Sequence, residues 1–307
     1  MRKKVVLKTK IKGIEFCSPI IAASGTFGYG DEAQGFIDLD KIGAIITKSI
    51  TLEPRKGNPA PRIHEVEFGM INSIGLANVG VHKFCNQKIP LLNSLKTHFI
   101  VSVAGSNIED YIQVIQEIEN VNGSQIGYEI NISCPNTKKG GMEFGVDKDI
   151  TKSLISQIRD ITDKMLIVKL SPNVTDIEEI AKSAESAGAD VISATNTFVG
   201  LGIDYASGKM LLSTKYGGVS GKAIKPLALA KVHKIYNNVN LPIFGMGGIS
   251  NFRDVVEFFR VGSSMVQVGT LNYRDPSAFA KLYDDLESFL IKNKINNISE
   301  LKGIYID

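Results

Sequence analysis

MLIVKLSPNVTDIEEIAKSAESAGADVISA, the stretch from Met165 to Ala194, carries the folding pattern of this chain in its clearest form. It opens with the apolar run Met165–Leu170 and closes with the apolar run Val191–Ala194. Between them, Ile177–Ala187 has apolar residues at helical spacing. Short apolar strands joined by an amphipathic helix are typical of a parallel sheet covered by helices. The stretch therefore predicts one strand–helix–strand unit of an α/β fold.

The same alternation continues on both sides of this unit. It predicts eight strands, at Ile20–Ala23, Ala44–Thr47, Phe99–Ala104, Tyr128–Ile130, Met165–Leu170, Val191–Ala194, Pro242–Gly245 and Met265–Val268. Helical spacing is found at Ile108–Ile118, Ile150–Ile161, Ile177–Ala187, Ile224–Tyr236, Phe252–Phe259 and Pro276–Ile291. Eight alternating units predict a (β/α)8 TIM barrel, and one barrel of this kind commonly takes up a chain of this length. Residues 1–307 are thus expected to form a single domain.

Three segments do not fit the alternation. Val5–Ile11 and Ile14–Phe16, separated by Gly13, predict an N-terminal hairpin that closes one end of the barrel. The intervals Ile50 to Thr97 and Thr195 to Lys222 are too long for simple connections. Because active sites of barrels are built from the loops after the strands, these insertions are predicted at the C-terminal face.

Composition excludes several classes of protein. The chain is 43% hydrophobic and 22% charged, as in ordinary globular proteins, and its net charge of +3 is too small to indicate nucleic-acid binding. Its three cysteines, Cys17, Cys85 and Cys134, form no C-x-x-C pair, so neither a disulfide framework nor a zinc or iron–sulfur site is expected. No apolar run approaches the roughly 18 residues of a membrane span, and no signal peptide is visible. We expect a cytoplasmic protein without a metal site.

The loop NISCPNTKKGG, residues 131–141, follows the predicted strand Tyr128–Ile130. A cysteine in such a place, here Cys134, can act as a nucleophile or transfer a proton if its thiolate is accessible. The alternative is an inert, buried cysteine, which is the commoner situation for a free thiol. Pro135 and the polar residues up to Gly141 favour an exposed loop, because a buried loop leaves backbone polar groups without partners.

Polar residues stand where the other predicted strands end. Lys48 and Lys169 each close an apolar run, so a ligand anion or a structural salt bridge is expected beside each ammonium group. The glycines after the last two strands precede helices and predict a phosphate site, although each can also be a simple tight turn. Amide side chains that suit a flat ring with N–H and C=O groups, unless they are turn or cap residues, are Asn72, Asn131, Asn136 and Asn196.

Seven motifs resemble the dihydroorotate dehydrogenases over nearly the whole chain. They are NISCPN (131–136), NSIGL (72–76), TKS (47–49), VKLSPN (168–173), GVSG (218–221), GMGG (245–248) and VGT (268–270). The residues after Cys134 and the C-terminal helix and tail are most similar to class 1B, the NAD-linked catalytic subunit. Class 2 enzymes carry Ser in place of this Cys and a membrane-associating N-terminal extension.

The resemblance implies a set of site residues. FMN is expected to contact Ser24, Lys48, Ser49, Ser102, Asn131, Lys169, Thr195, Gly221, Gly247, Gly248, Gly269 and Thr270. The substrate is expected to contact Lys48, Asn72, Ser73, Ile74, Gly75, Leu76, Asn131, Asn196 and Thr197, with Cys134 as the base. Two residues depart from the family pattern: Ser102 stands where an Asn is usual, and Val79 stands where a Pro is usual.

The implied reaction is oxidation of dihydroorotate to orotate in pyrimidine biosynthesis. Cys134 would take a proton from C5 while a hydride passes from C6 to FMN. The chain has no G-x-G-x-x-G after a strand and no cysteine set for an iron–sulfur cluster. The resemblance therefore implies a partner subunit with FAD and a [2Fe–2S] cluster that passes electrons to NAD⁺, in a heterotetramer built on a homodimer. Three alternatives stay open: a class 1A-like enzyme that uses fumarate, a dihydropyrimidine dehydrogenase-like reductase, and a non-redox phosphate-binding barrel.

Overall fold

A computed structural model describes residues 7–30, 38–132 and 144–306. Residues 133–143, which include Cys134, Asn136 and most of the loop 131–141, lie outside the described residues. The strands are β1 (Thr9–Ile11), β2 (Ile14–Phe16), β3 (Ile20–Ala22), β4 (Ala44–Ile46), β5 (Ile63–Val66), β6 (Gly69–Asn72), β7 (His98–Val103), β8 (Gly127–Asn131), β9 (Met165–Lys169), β10 (Val191–Ala194), β11 (Phe198–Leu201), β12 (Tyr216–Ser220), β13 (Ile243–Met246) and β14 (Met265–Val268).

The α-helices are α1 (Val81–Lys83), α2 (Ile89–Leu92), α3 (Ile108–Glu119), α4 (Lys148–Arg159), α5 (Ile177–Ser186), α6 (Lys225–Tyr236), α7 (Phe252–Arg260), α8 (Thr270–Arg274) and α9 (Ala278–Lys292). A π-helical segment, Phe84–Lys88, joins α1 to α2. The long helices bury one apolar face against the barrel; in α3 that face is Tyr111, Val114, Ile115 and Ile118. None of the helices in the described ranges is long and apolar enough to cross a membrane.

Eight strands close into a parallel barrel in the order β3-β4-β7-β8-β9-β10-β13-β14. The barrel closes where β14 pairs with β3, with Val266 opposite Ile20. The predicted (β/α)8 TIM barrel is thus confirmed, and each predicted strand lies within one residue of its observed bounds. Helix α6 begins one residue later than predicted because Lys222–Ile224 forms a separate 3₁₀ turn.

The N-terminal hairpin closes the lower end of the barrel, as predicted. β1 and β2 pair in antiparallel fashion, and Lys12 and Gly13 turn the chain with positive φ angles of 46° and 79°. Ile11 and Phe16 pack with the barrel residues Ile21, Ile100 and Phe244 in one apolar cluster. The opposite end, where the strands finish, is therefore the open one.

The two long insertions pair with each other at this open end. β5 and β6 come from the first insertion and β11 and β12 from the second, and they form an antiparallel sheet in the order β11-β12-β6-β5. Gly218 lies opposite Asn72 across the junction of the two insertions. The prediction that both insertions build the C-terminal face is confirmed, although their strands were not predicted from the sequence.

Candidate active site

A cavity of about 870 Å³ lies at the carboxyl ends of the barrel strands. Since all eight strands are parallel, their ends meet at one rim, and the four-stranded sheet contributes further walls. The predicted site residues that line this cavity are Ser24, Lys48, Ser49, Asn72, Ser73, Ile74, Gly75, Leu76, Asn131, Lys169, Thr195, Asn196, Thr197, Gly221, Gly247, Gly248, Gly269 and Thr270. Of the other candidate residues, Ser102 does not line the cavity, and Cys134 and Asn136 are not described.

Cationic groups dominate the charge of the cavity wall. Lys48, Lys169, Lys222 and Arg274 line it, whereas no Asp or Glu does so within the described ranges. Lys169 is 6% exposed, and its Nζ lies 3.5 Å from Glu129 Oε1, so the salt bridge foreseen as an alternative is present for this lysine. A wall of this kind suits a ligand that carries phosphate or carboxylate groups.

Hydroxyl and amide groups join the ends of β3, β4, β7 and β8. Ser24 Oγ donates to the carbonyl of Thr47 at 2.8 Å, and Asn131 Nδ2 donates to Ser49 Oγ at 3.3 Å. Ser49 Oγ lies 2.9 Å from Ser102 Oγ. Ser102 is fully buried and does not line the cavity. Its predicted contact with a ligand therefore stays a prediction. In the structure its hydroxyl group contacts that of Ser49 on the side away from the cavity.

The segment Asn72 to Leu76 is fixed by residues 55–62. Ser73 N–H donates to the Arg62 carbonyl at 2.8 Å, and Asn58 N–H donates to the Ile74 carbonyl at 3.0 Å. Gly75 has a φ of +72°, and a Cβ there would lie 2.7 Å from Asn58 N. The loop needs glycine at this position because of both the backbone conformation and the close approach.

Asn78 and Val79 continue this loop but do not line the cavity. Asn78 Nδ2 donates to Thr51 Oγ1 at 2.8 Å, and Val79 N–H donates to Tyr29 Oη at 3.1 Å. Proline, which the resemblance leads us to expect at position 79, has no N–H and cannot donate this bond. The departure at Val79 therefore adds a hydrogen bond that anchors the loop to the barrel.

Glycines form a cradle after β13. Gly247 and Gly248 have φ angles of +124° and +81°, and Cβ atoms there would lie 2.6 Å from Ala228 Cβ and 2.8 Å from Lys225 N. The backbone therefore packs directly against the start of α6. Both glycines line the cavity, and peptide N–H groups in a turn before a helix can approach a phosphate closely.

Asp254 holds this cradle from behind. Its carboxylate accepts hydrogen bonds from Ser250 N–H at 2.7 Å, from Ser250 Oγ at 2.8 Å and from Lys225 Nζ at 2.7 Å. Burial raises the pKa of Asp254, but the hydrogen bonds from Lys225 and Ser250 outweigh burial and hold that pKa below its ordinary value. Asp254 is therefore a charged anchor for the loop of residues 247–251.

Family membership follows from comparison with known proteins. A family model described as dihydroorotate dehydrogenase matches residues 6–290 of the chain. The chain belongs to the dihydroorotate dehydrogenase family. The resemblance predicted from the seven motifs is thereby confirmed.

Relatives within the dihydroorotate dehydrogenase family are similar over nearly their whole length. Proteins named dihydroorotate dehydrogenase B (NAD(+)), catalytic subunit, are 44% identical in Bacteroides fragilis, covering 97% of this chain and 98% of the relative, and 45% identical in Porphyromonas gingivalis, covering 95% of each. The crystal structure of DHODH in complex with ferulenol from Eimeria tenella matches with a TM-score of 0.81 and 25% identity, over 98% of this chain and 89% of that chain. The similarity to the NAD-linked class is confirmed by the relatives' names.

The cavity offers partners for FMN, the cofactor implied for a dihydroorotate dehydrogenase. Three buried oxygen atoms that belong to residues lining the cavity, Ser73 Oγ, Thr195 Oγ1 and Gln267 Oε1, have no hydrogen-bond partner among the described residues. Buried polar atoms of this kind normally have a partner, so they suit a ligand with N–H and O–H groups. With the cationic wall and the glycine cradle, these residues fit a flavin and its phosphate.

Several residues that line the cavity were not predicted from the sequence. They include Asn58, Ile63, Phe68, Tyr216, Lys222, Gln267, Tyr273 and Arg274. Gln267 could have been recognised, because it is a polar residue inside the apolar run Met265–Val268. No sequence pattern indicated Asn58 and Tyr216, since they reach the cavity through the pairing of two insertions.

Proposed function

We propose that this protein oxidises dihydroorotate to orotate, as a step of pyrimidine biosynthesis, with FMN held in the cavity at the open end of the barrel. The observation that carries the proposal is that the described residues expected to contact cofactor and substrate, Ser102 apart, line one cavity, and each charged residue that lines it within the described ranges is a lysine or an arginine. We also propose that residues 1–307 form one domain, and the cytoplasmic location stays a prediction.

The roles of the residues follow from their chemistry. Gly247 and Gly248 would hold the phosphate with backbone N–H groups, and Lys169 would face the flavin. Lys48 would neutralise the substrate carboxylate, while the amides of Asn72, Asn131 and Asn196 would bind the ring's N–H and C=O groups. When bound, FMN supplies the acceptor for the hydride from C6. Cys134 would remove the proton from C5, a role that rests on the family motif and on its place directly after β8.

A partner subunit is part of the proposal. The relatives are named catalytic subunits of an NAD(+) enzyme, which supports a second chain that receives the electrons. We propose that this chain carries FAD and a [2Fe–2S] cluster and assembles with a dimer of the present chain into a heterotetramer. Fumarate as the direct acceptor is the alternative.

The visible spectrum of the FMN-loaded protein tests the proposal. Adding dihydroorotate without oxygen is expected to bleach the oxidised flavin band. Cys134→Ala is expected to keep FMN and to bind orotate but to bleach about 10²–10⁴-fold more slowly, because its general base is lost. Cys17→Ser is the matched control: Cys17 Sγ donates to the Ile42 carbonyl at 3.2 Å, below the barrel rim, and serine can keep this bond.

Each contrary result identifies an alternative. A protein that takes up no FMN would favour the non-redox phosphate-binding barrel. Bleaching by dihydrouracil and not by dihydroorotate would favour a dihydropyrimidine dehydrogenase-like reductase. Wild-type bleaching rates in Cys134→Ala at all pH values would remove Cys134 from the mechanism.

A further inference from the structure

Four polar side chains meet inside the barrel, directly beneath the cavity. We call Glu129, Lys169, Ser193 and Gln267 the buried cluster; they belong to β8, β9, β10 and β14. Glu129 and Ser193 are 0% exposed, and Gln267 is 1% exposed. Lys169 and Gln267 line the cavity, whereas Glu129 and Ser193 do not. Glu129 is therefore separated from any ligand by the other members of the cluster.

The two oxygens of Glu129 have different surroundings. Oε2 accepts from Gln267 Nε2 at 2.8 Å and from Ser193 Oγ at 3.1 Å. Oε1 has no hydrogen-bond partner among the described residues and lies 3.5 Å from Lys169 Nζ. Neutral donors thus fix the carboxylate through Oε2, while Oε1 is directed to the ammonium group in the cavity wall.

This arrangement is not explained by stability. Removing two charges from water costs more than an ion pair usually returns, and apolar residues of the same volume often stabilise a protein as well or better. The contact of 3.5 Å is also too long for a strong charge-assisted hydrogen bond. A buried carboxylate behind a cavity lysine is instead the kind of pair that tunes a ligand site.

We propose that Glu129 is a positioning residue that orients Lys169, offsets its charge and thereby sets the reduction potential of the bound FMN. The inference rests on the proposed function, because it requires FMN to lie against Lys169. A hydride brings two electrons and one proton to the cofactor and leaves it with one additional negative charge. An unbalanced ammonium group would favour that charge, and Glu129 reduces this effect from behind.

Glu129→Gln tests the proposal, because it keeps the shape of the side chain and removes its charge. The potential of bound FMN is measured by equilibration with a redox dye under chemical reduction, without dihydroorotate. We expect reduction of FMN to become about tenfold more favourable in the variant, which is a rise of about 30 mV for a two-electron couple. Glu129→Asp, which keeps the charge, is expected to have an FMN reduction potential close to that of the wild type.

Ser193→Ala is the matched control, because it removes a neutral donor from the same carboxylate. A purely structural role for the cluster predicts that this control and Glu129→Gln reduce thermal stability alike and leave the potential unchanged; that outcome would overturn the proposal. If Glu129→Gln does not fold, the double variant Glu129→Gln/Lys169→Met, which lacks both charges, takes its place. It is compared with Lys169→Met, which keeps the carboxylate, and is expected to have the higher potential of the two; equal potentials would overturn the proposal.

Failure of this inference can be distinguished from failure of the proposed function. A wild-type protein that takes up no FMN, or is not reduced by dihydroorotate, contradicts the proposed function. If the wild-type protein is reduced by dihydroorotate but Glu129→Gln has the same flavin potential as wild type, only the proposed role of Glu129 is contradicted.

Discussion

Among the glycines near the segment Asn72 to Leu76, Gly218 has the least room for a side chain. A Cβ at this position would lie 2.0 Å from Thr197 Oγ1, and the Gly218 carbonyl accepts from Asn72 Nδ2 at 3.2 Å. Gly218→Ala would therefore displace Thr197 or Asn72. Overpacking of this kind costs about 1–3 kcal/mol. We expect orotate to bind about tenfold more weakly, which corresponds to about 1.4 kcal/mol, while FMN is retained.

Gly208→Ala is the control for Gly218→Ala. Gly208 belongs to the same insertion and has a φ of +68°, and a Cβ at this position would meet no other atom within 4 Å. The control therefore introduces backbone strain of about 1 kcal/mol without contact with Thr197. Titration of flavin absorbance with orotate measures both variants. Equal affinities would mean that Thr197 and Asn72 do not determine substrate binding.

The strand-end residues were predictable for a simple geometric reason. Once eight parallel strands are recognised, Lys48, Asn131 and Lys169 must lie at the same rim, whatever separates them in the chain. Glu129 was missed because apolar periodicity treats a polar residue inside a strand as noise, although its place in the run Tyr128–Ile130 is visible. Ser102 was assigned to the ligand from the resemblance; its Oγ lies 2.9 Å from Ser49 Oγ and it does not line the cavity, so its contact with a ligand stays a prediction.

Among the secondary-structure elements, the turn between β13 and α7 depends on one carboxylate. Asp254 is 4% exposed and accepts hydrogen bonds from Ser250, Asn251 and Lys225. Asp254→Asn leaves the Lys225 ammonium group without this charge. Lys225 is partly exposed and keeps Glu257 Oε2 at 2.7 Å from its Nζ, so we expect the substitution to lower the free energy of unfolding by about 2 kcal/mol, as for lost hydrogen bonds to a charged group, and to weaken FMN binding. Urea unfolding and FMN titration measure the two effects.

The pH dependence of this effect has a definite sign. Because the pKa of Asp254 is lowered in the folded state, its stabilisation is complete above the ordinary value of 3.8 and is lost as the pH falls through the lower folded value. The difference between wild type and Asp254→Asn should therefore shrink in acid. Glu179→Gln, which breaks the exposed Glu179–Lys182 pair, is the control and should change stability little at any pH. A pH-independent difference would contradict the ion-pair explanation.

The elements at the open end were only partly predictable. The intervals that form β5, β6, β11 and β12 were recognised as insertions from their length, yet their strands were not. Their pairing depends on Gly218 lying opposite Asn72, two residues that are far apart in the chain. Register between such distant segments follows from tertiary packing, and single-sequence periodicity does not contain it.

For the protein as a whole, we propose that the electrons pass to a second chain after the substrate is oxidised. NAD⁺ reduction needs a dinucleotide site, and transfer from FMN to a distant NAD⁺ needs carriers between them. The sequence has three separated cysteines, fewer than the four that an ordinary iron–sulfur cluster takes, and no G-x-G-x-x-G after a strand. We therefore expect the isolated chain to be reduced by dihydroorotate but to reduce NAD⁺ very slowly.

Reconstitution tests this expectation. The isolated chain is assayed with dihydroorotate and either NAD⁺ or fumarate, and then again after addition of a candidate electron-transfer subunit that carries FAD and a [2Fe–2S] cluster. NADH formation should increase by orders of magnitude with the subunit, whereas flavin bleaching in the first turnover should not change, because the residues proposed to bind substrate belong to this chain. The same mixture made with Cys134→Ala is the control, and it should form little NADH because the first step is slow. Rapid NADH formation by the chain alone, or rapid fumarate reduction that the subunit does not alter, would contradict the two-subunit proposal.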